Sequence, residues 1–132
     1  MHVKIDTREK FHVITIMESA IAANMTADLD KSLLPLLQNG VKNVVLSLKD
    51  IQTIDKAAAE RLVELQQAFY EQDVSFVICC MSDSVEEKLD EYELLELMNS
   101  TPTESEAGDI VQMEEIEREL GDGSLESGAR SL

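Results

Sequence analysis

The chain has 132 residues, 44% of them apolar, which gives room for one domain built on one hydrophobic core. Its 27 Asp and Glu against 11 Lys and Arg give a formal charge of −16. The excess is local: residues 1–82 carry 11 acids and 8 bases, whereas residues 83–126 carry 16 acids against Lys88 and Arg118. Such a field repels phosphate backbones and anionic lipid headgroups, so neither nucleic-acid binding nor membrane attachment is expected.

Val3, Ile5 and Thr7 alternate with charged residues, the period of a half-buried strand, and Glu9-Lys10 predicts a turn into a second strand over Phe11 to Met17. From Thr26 the period becomes helical through Leu29, Leu33, Leu36 and Leu37, with Asn24 or Thr26 as cap, Pro35 inside and Gly40 as the stop. Val44 to Leu48 is an apolar run suited to a strand covered on both faces. Asp55 is placed as the N-cap of a helix whose stripe is Ala58, Leu62, Leu65 and Phe69, ending near Asp73. Val74 to Met81 reads as another buried strand, and Ser84-Val85-Glu86-Glu87 as a capping box for a third helix. Asn99 to Pro102 is expected as an edge strand. Thr103-Glu104-Ser105-Glu106 is a second capping box, and Ile110, Met113, Ile116 and Leu120 are expected to form the buried face of the last helix.

The order ββαβαβα(β)α predicts an α/β single domain: a mixed, largely parallel sheet of four to five strands with right-handed crossovers. The domain is expected over residues 1–120. Residues 121–132, rich in Gly and Ser, are expected to be a disordered tail.

The chemistry of catalysis is sparse. Five glycines form no dinucleotide or phosphate loop, and the many carboxylates fall at helix-surface spacing. His2 and His12 are the only histidines, and nothing in their spacing joins them with Cys79 in a metal site. Cys79 and Cys80 are neighbours on an expected strand, where side chains point to opposite faces, so no disulfide between them is expected. Met1 to Lys10 lacks the apolar segment of a signal peptide and no apolar run is long enough to span a bilayer, so a cytoplasmic location is expected.

One segment carries a resemblance: Val44-Val45-Leu46-Ser47-Leu48-Lys49-Asp50-Ile51-Gln52-Thr53-Ile54-Asp55-Lys56-Ala57-Ala58-Ala59-Glu60-Arg61-Leu62. It resembles the signature of the sulfate transporter and anti-sigma factor antagonist (STAS) domain, in which an apolar strand leads through a short connection to Ile-Asp-Ser-Ser-Gly and an amphipathic helix. The element order, the Phe76 to Cys80 strand and the Ser-Thr-Pro-Thr-Glu stretch before the last helix also fit, so the resemblance spans roughly residues 2–120. The departures are specific. Ala57 stands where partner-switching members carry the phosphorylated serine, Lys56 replaces the preceding serine and Ala58 the glycine. Ser47 and Ala22 stand where members often carry Asp.

The resemblance implies a non-enzymatic regulatory module that binds another cytoplasmic protein, with an anti-sigma factor or an ATPase-type kinase as the candidate partners. No cofactor or metal is implied. The expected contact residues are Ile21, Ala22, Ala23, Ile54, Asp55, Lys56, Ala57, Ala58 and Arg61, and no phosphorylation is expected at the family position, Ala57. Two other readings stay open: a STAS-like structural subunit of a larger signalling or lipid-transport assembly, and anion or small-ligand binding at the helix N-terminus.

Overall fold

A computed structural model describes residues 1–38 and 43–123, with side chains through Leu120. The expected helix stop at Gly40 and the expected tail beyond Gly123 lie outside the described residues. Strand β1 (Val3–Thr7) turns back on β2 (Phe11–Ile16) as an antiparallel hairpin, with Thr7 opposite His12. The chain continues through β3 (Ala20–Ile21), a short 3-10 turn, α1 (Thr26–Gln38), β4 (Asn43–Ser47), β5 (Thr53–Ile54) and α2 (Lys56–Glu71). It closes with β6 (Phe76–Cys79), α3 (Asp83–Glu91), β7 (Ser100–Thr101) and α4 (Glu104–Gly123). The main sheet has the order β1-β2-β4-β6-β7, and every pair after the opening hairpin is parallel. The mixed α/β fold expected from element order is the fold observed. Extents differ in detail: β6 is shorter than Val74 to Met81, β7 is shorter than Asn99 to Pro102, β2 stops one residue before Met17, and α4 runs on through Gly123, past the expected boundary at residue 120.

Strand alternation divides the interior into two cores. Ile14 and Ile16, Val44 and Leu46, and Phe76 and Ile78 face the larger core, which α1, α2 and α3 cover with Leu29, Leu33, Leu62, Phe69, Val85 and Leu89. Phe69 and Phe76 meet edge to face at a ring-centroid distance of 4.8 Å. Burying each such side chain is worth about 1.5–3 kcal/mol, so this side dominates stability. The opposite strand faces, Phe11, Val13, Val45, Val77 and Cys79, meet only Ala107 and Val111 of α4, with Ile110 and Cys80 at the margin.

Helix α4 therefore differs from expectation. Ile110 lies at the margin of the smaller core, but Met113, Ile116 and Leu120 are exposed. The helix approaches the sheet on its smallest residues, with Gly108 set so close that a Cβ there would lie 2.9 Å from Phe11 Cζ. Polar contacts fix the rest. Asn43 donates to Glu115 (2.7 Å) and accepts from Arg118 (3.1 Å), which also donates to the Ser75 hydroxyl at 3.0 Å. Tyr70 donates to Glu114 at 2.7 Å, and Asn99 donates to the Tyr70 oxygen at 2.7 Å. A close-set small face and a polar seam thus replace the apolar stripe that periodicity suggested.

Candidate functional site

The segments Ser19–Ala23 and Gln52–Asp55 come together because β3 and β5 pair in parallel, Ala20 with Thr53 and Ile21 with Ile54. Flanking backbone bonds extend the pairing: Gln52 N–H donates to Ser19 O at 2.7 Å and Asp55 N–H to Ile21 O at 2.9 Å. Two-residue strands have too short a period to be read from sequence, and neither was expected.

Asp55 occupies the N-cap position of α2 with extended backbone (φ −82°, ψ 155°), but its side chain makes no capping bond. Its Oδ2 instead accepts the backbone N–H of Ala23 at 2.9 Å. The carboxylate thus ties the loop after β3 to the start of α2, and the first turn of α2 contains neither a side-chain cap nor an acid. The positive end of the helix is left to solvent there, with Lys56 and Ala57 both exposed.

Helix α3 braces the same junction from behind. The Ser84 hydroxyl donates to Gln52 O at 3.0 Å and the Tyr92 hydroxyl to Ile54 O at 3.1 Å. Ser84 is accordingly not the cap of α3. Ser82 is, accepting from Val85 N–H at 3.2 Å, so the box expected from Ser84 starts two residues too late. Sequence reading missed Ser84 and Tyr92 as junction residues because their acceptors are backbone carbonyls more than 30 residues away.

The nine expected contact residues separate into three groups. Ala22, Ala23, Asp55, Lys56 and Ala57 form a partly to fully exposed rim. Ile21, Ile54 and Ala58 are buried in the larger core, so they support the rim and offer a partner no side-chain surface. Arg61 is not a free flanking cation: its Nε donates to Asp30 at 2.7 Å and its Nη1 to Glu64 at 2.8 Å. Asp30 first, then Glu64, raises its pKa above the usual guanidinium value. Ser47 is buried in register with Cys79 and does not reach this surface.

The histidines and cysteines stand apart. His2 contacts Glu18 at 3.3 Å and His12 contacts Thr7 at 3.1 Å, so each has a partner of its own on or beside the hairpin. Among the described residues, no group of three or more His, Cys, Asp or Glu could hold a metal ion. Both cysteines are free, but their sulfurs lie 3.4 Å apart, contrary to the opposite-faces expectation. The strand ends at Cys79, and Cys80 has φ 66°, which swings its side chain back beside its neighbour. Burial, then Cys80, pushes the Cys79 thiol well above its ordinary pKa. Among the described residues, no helix is long and apolar enough to cross a membrane.

Similarities to known proteins agree with this architecture. Among solved structures, an RsbS variant from Moorella thermoacetica is 18% identical, with 89% of this chain and 99% of that chain covered at a TM-score of 0.71. An anti-sigma factor antagonist from Mycobacterium paratuberculosis is 13% identical, with coverages of 84% and 93% and a TM-score of 0.69. The murine solute carrier 26 family member A9 anion transporter is 11% identical; 78% of this chain aligns with 18% of that much longer one, at a TM-score of 0.63. At these identities the likeness is one of fold. A comparison with curated protein sequences returns no match. The model of the STAS domain matches residues 2–107, most of the chain, and the protein therefore belongs to the STAS domain family.

Proposed function

We propose that this STAS domain is a non-enzymatic, cytoplasmic regulatory module that binds another protein through the rim of Ala22, Ala23, Asp55, Lys56 and Ala57. The observation that carries this reading is the 2.9 Å bond from Ala23 N–H to Asp55. It joins the loop and the first turn of α2 into one preorganised surface, which lowers the ordering cost of docking. Two charged groups at the junction have structural duties, Asp55 to the loop and Arg61 to Asp30 and Glu64, which leaves them poorly placed for acid–base work. An anti-sigma factor or an ATPase-type kinase suits such a surface by resemblance to antagonists of this fold.

In partner-switching relatives, a phosphoryl group on the first turn of this helix would add a charge of about −2 to the docking face. Ala57 has no hydroxyl to accept one, so binding here is constitutive at that position. Ser84 is committed to Gln52 O, and Thr53 lies in β5 upstream of the helix. Neither takes over the switch.

The test is affinity capture from the native host, with wild type, Ala57→Asp and Lys56→Glu as baits and mass spectrometry as readout. Wild type should retain a protein partner that both variants lose, and incubating the captured complex with ATP should not release it. Unchanged retention by two natively folded variants would move the interface away from this rim.

A further inference from the structure

Helix α4 carries eight acids and one base, and it lies on the sheet face opposite α1, α2 and α3. Its outer side holds Met113 at 58% exposure, Ile116 at 54% and Leu120 at 59%. The spacing of three and then four residues is the a-d-a pattern of a helix-pairing seam. Glu117 and Glu119 are exposed at the flanking positions, while the helix's one base, Arg118, is engaged with Ser75 and Asn43. Beside Ile116 a groove of about 180 Å³ opens between α4 and the β1–β2 turn, lined by Glu9, Lys10, Gln112, Glu115, Ile116 and Glu119. Lys10 is paired with Glu115 at 3.5 Å, so the groove's wall is acidic in net terms.

We propose that this face seats an amphipathic helix of another protein, with an apolar seam flanked by Lys and Arg. Charge decides the occupant. A second copy of the chain would set Glu117 and Glu119 against acids of the same helix, and like charges at flanking positions oppose pairing. Residues 124–132 offer Leu125 and Leu132 with one Glu and one Arg, which supplies no basic flank. Anionic lipid is repelled by the same acids. A basic helix satisfies both features, covering Met113 and Ile116 with its seam, placing one apolar side chain in the groove, and setting cations beside Glu117 and Glu119. The surface is distinct from the Asp55 rim, so one partner could be held on each side of the sheet.

The experiment uses the full chain and three synthetic peptides in titration calorimetry: a helix with a Leu seam and Lys flanks, the same seam with Glu flanks, and a scrambled form of the basic peptide. Met113→Ser combined with Ile116→Ser removes two of the seam's three apolar side chains and leaves the net charge unchanged. Both positions are exposed, so the variant should keep its circular dichroism and thermal midpoint. The basic seam peptide should bind wild type about tenfold or more tightly than it binds the double variant, or than the scrambled peptide binds wild type, and binding should weaken with salt. Equal binding to wild type and double variant would reduce the effect to bulk charge and overturn the proposal, as would no binding or preference for the acidic peptide. A dimer in analytical ultracentrifugation that the double variant abolishes would assign the face to a second copy. Binding that appears only after deletion of residues 124–132 would assign it to the chain's own end. Loss of partner capture by Ala57→Asp alone bears on the rim and leaves this test unaffected.

Discussion

The Asp55 carboxylate holds the Ala23 amide at 2.9 Å across 32 residues of chain, and it does so in place of capping its own helix. Removing it should therefore loosen the loop rather than fray α2. Asp55→Ala is expected to cost about 0.5–1.5 kcal/mol, the range of one hydrogen bond. Amide exchange should accelerate at Ala23, with little change at Ala58 in the first turn of α2. Asp55→Asn keeps an acceptor and should retain part of the protection. Faster exchange at Ala58 with Ala23 unaffected would restore the capping role and dissolve the link.

The Gly108–Phe11 contact makes a second expectation. A methyl at Gly108 would meet the Phe11 ring at 2.9 Å, while a helical Ala gains about 0.5–1 kcal/mol over Gly. Gly108→Ala should accordingly be close to neutral. Gly108→Leu has no such offset and should destabilise by about 1–3 kcal/mol through overpacking. Because the smaller core rests on Ala107 and Val111, α4 should come off the sheet first. Amide exchange would then rise along α4 before it rises in β4 or β6; a uniform rise would show α4 to be inseparable from the main core.

Alkaline pH should weaken the fold through Tyr70. Burial first, and then the bond to Glu114, pushes its pKa from 10.0 up to about 12. The unfolded chain therefore loses this proton before the native state does, so the contribution is fully present below pH 10 and lost as pH rises to 12. Tyr70→Phe should be less stable at neutral pH, having lost a bond to Glu114, yet show a shallower decline over that alkaline window. Cys79, whose pKa is also raised, acts in the same direction in both proteins, so the difference in slope isolates Tyr70. Identical slopes in denaturant titrations at a series of pH values would remove Tyr70 from the linkage.

Several of these relationships were legible in the residues and others were not, for physical reasons. The hairpin, β4 and the stripe of α2 each repeat a period long enough to be recognised, and the two cores fix their faces strongly. The partner of Asp55 was hidden because N-cap preference specifies a residue type and backbone shape, while the hydrogen bond itself went to a loop brought in by a two-residue pairing. Helix α4 was misread because periodicity weighs Met113, Ile116 and Leu120 by hydrophobicity. The helix instead docks by close approach at Gly108 and by polar bonds from Glu114, Glu115 and Arg118, none of which enters an apolar count. The Cys79–Cys80 approach depended on one positive φ at the strand's end, which no local pattern at a non-glycine residue announces.

The first turn of α2 gives the last expectation. Asp55 is its N-cap residue and Lys56 its first helical residue, so Ala57 occupies the second position, exposed beside backbone N–H groups that no side chain caps. An acid there opposes the positive end of the helix favourably, by about 0.3–1 kcal/mol, and a cation at Lys56 acts in the opposite sense. Ala57→Asp should therefore fold and gain up to about that amount, partly offset by the lower helix propensity of Asp. The gain should shrink as salt screens the helix end. Lys56→Ala should give a smaller change of the same sign. Denaturant unfolding of the three proteins at low and high salt measures this directly. A clear destabilisation by Ala57→Asp would mean that the first turn already holds an anion-like partner, and its effect on partner capture could then no longer be ascribed to the docking surface alone.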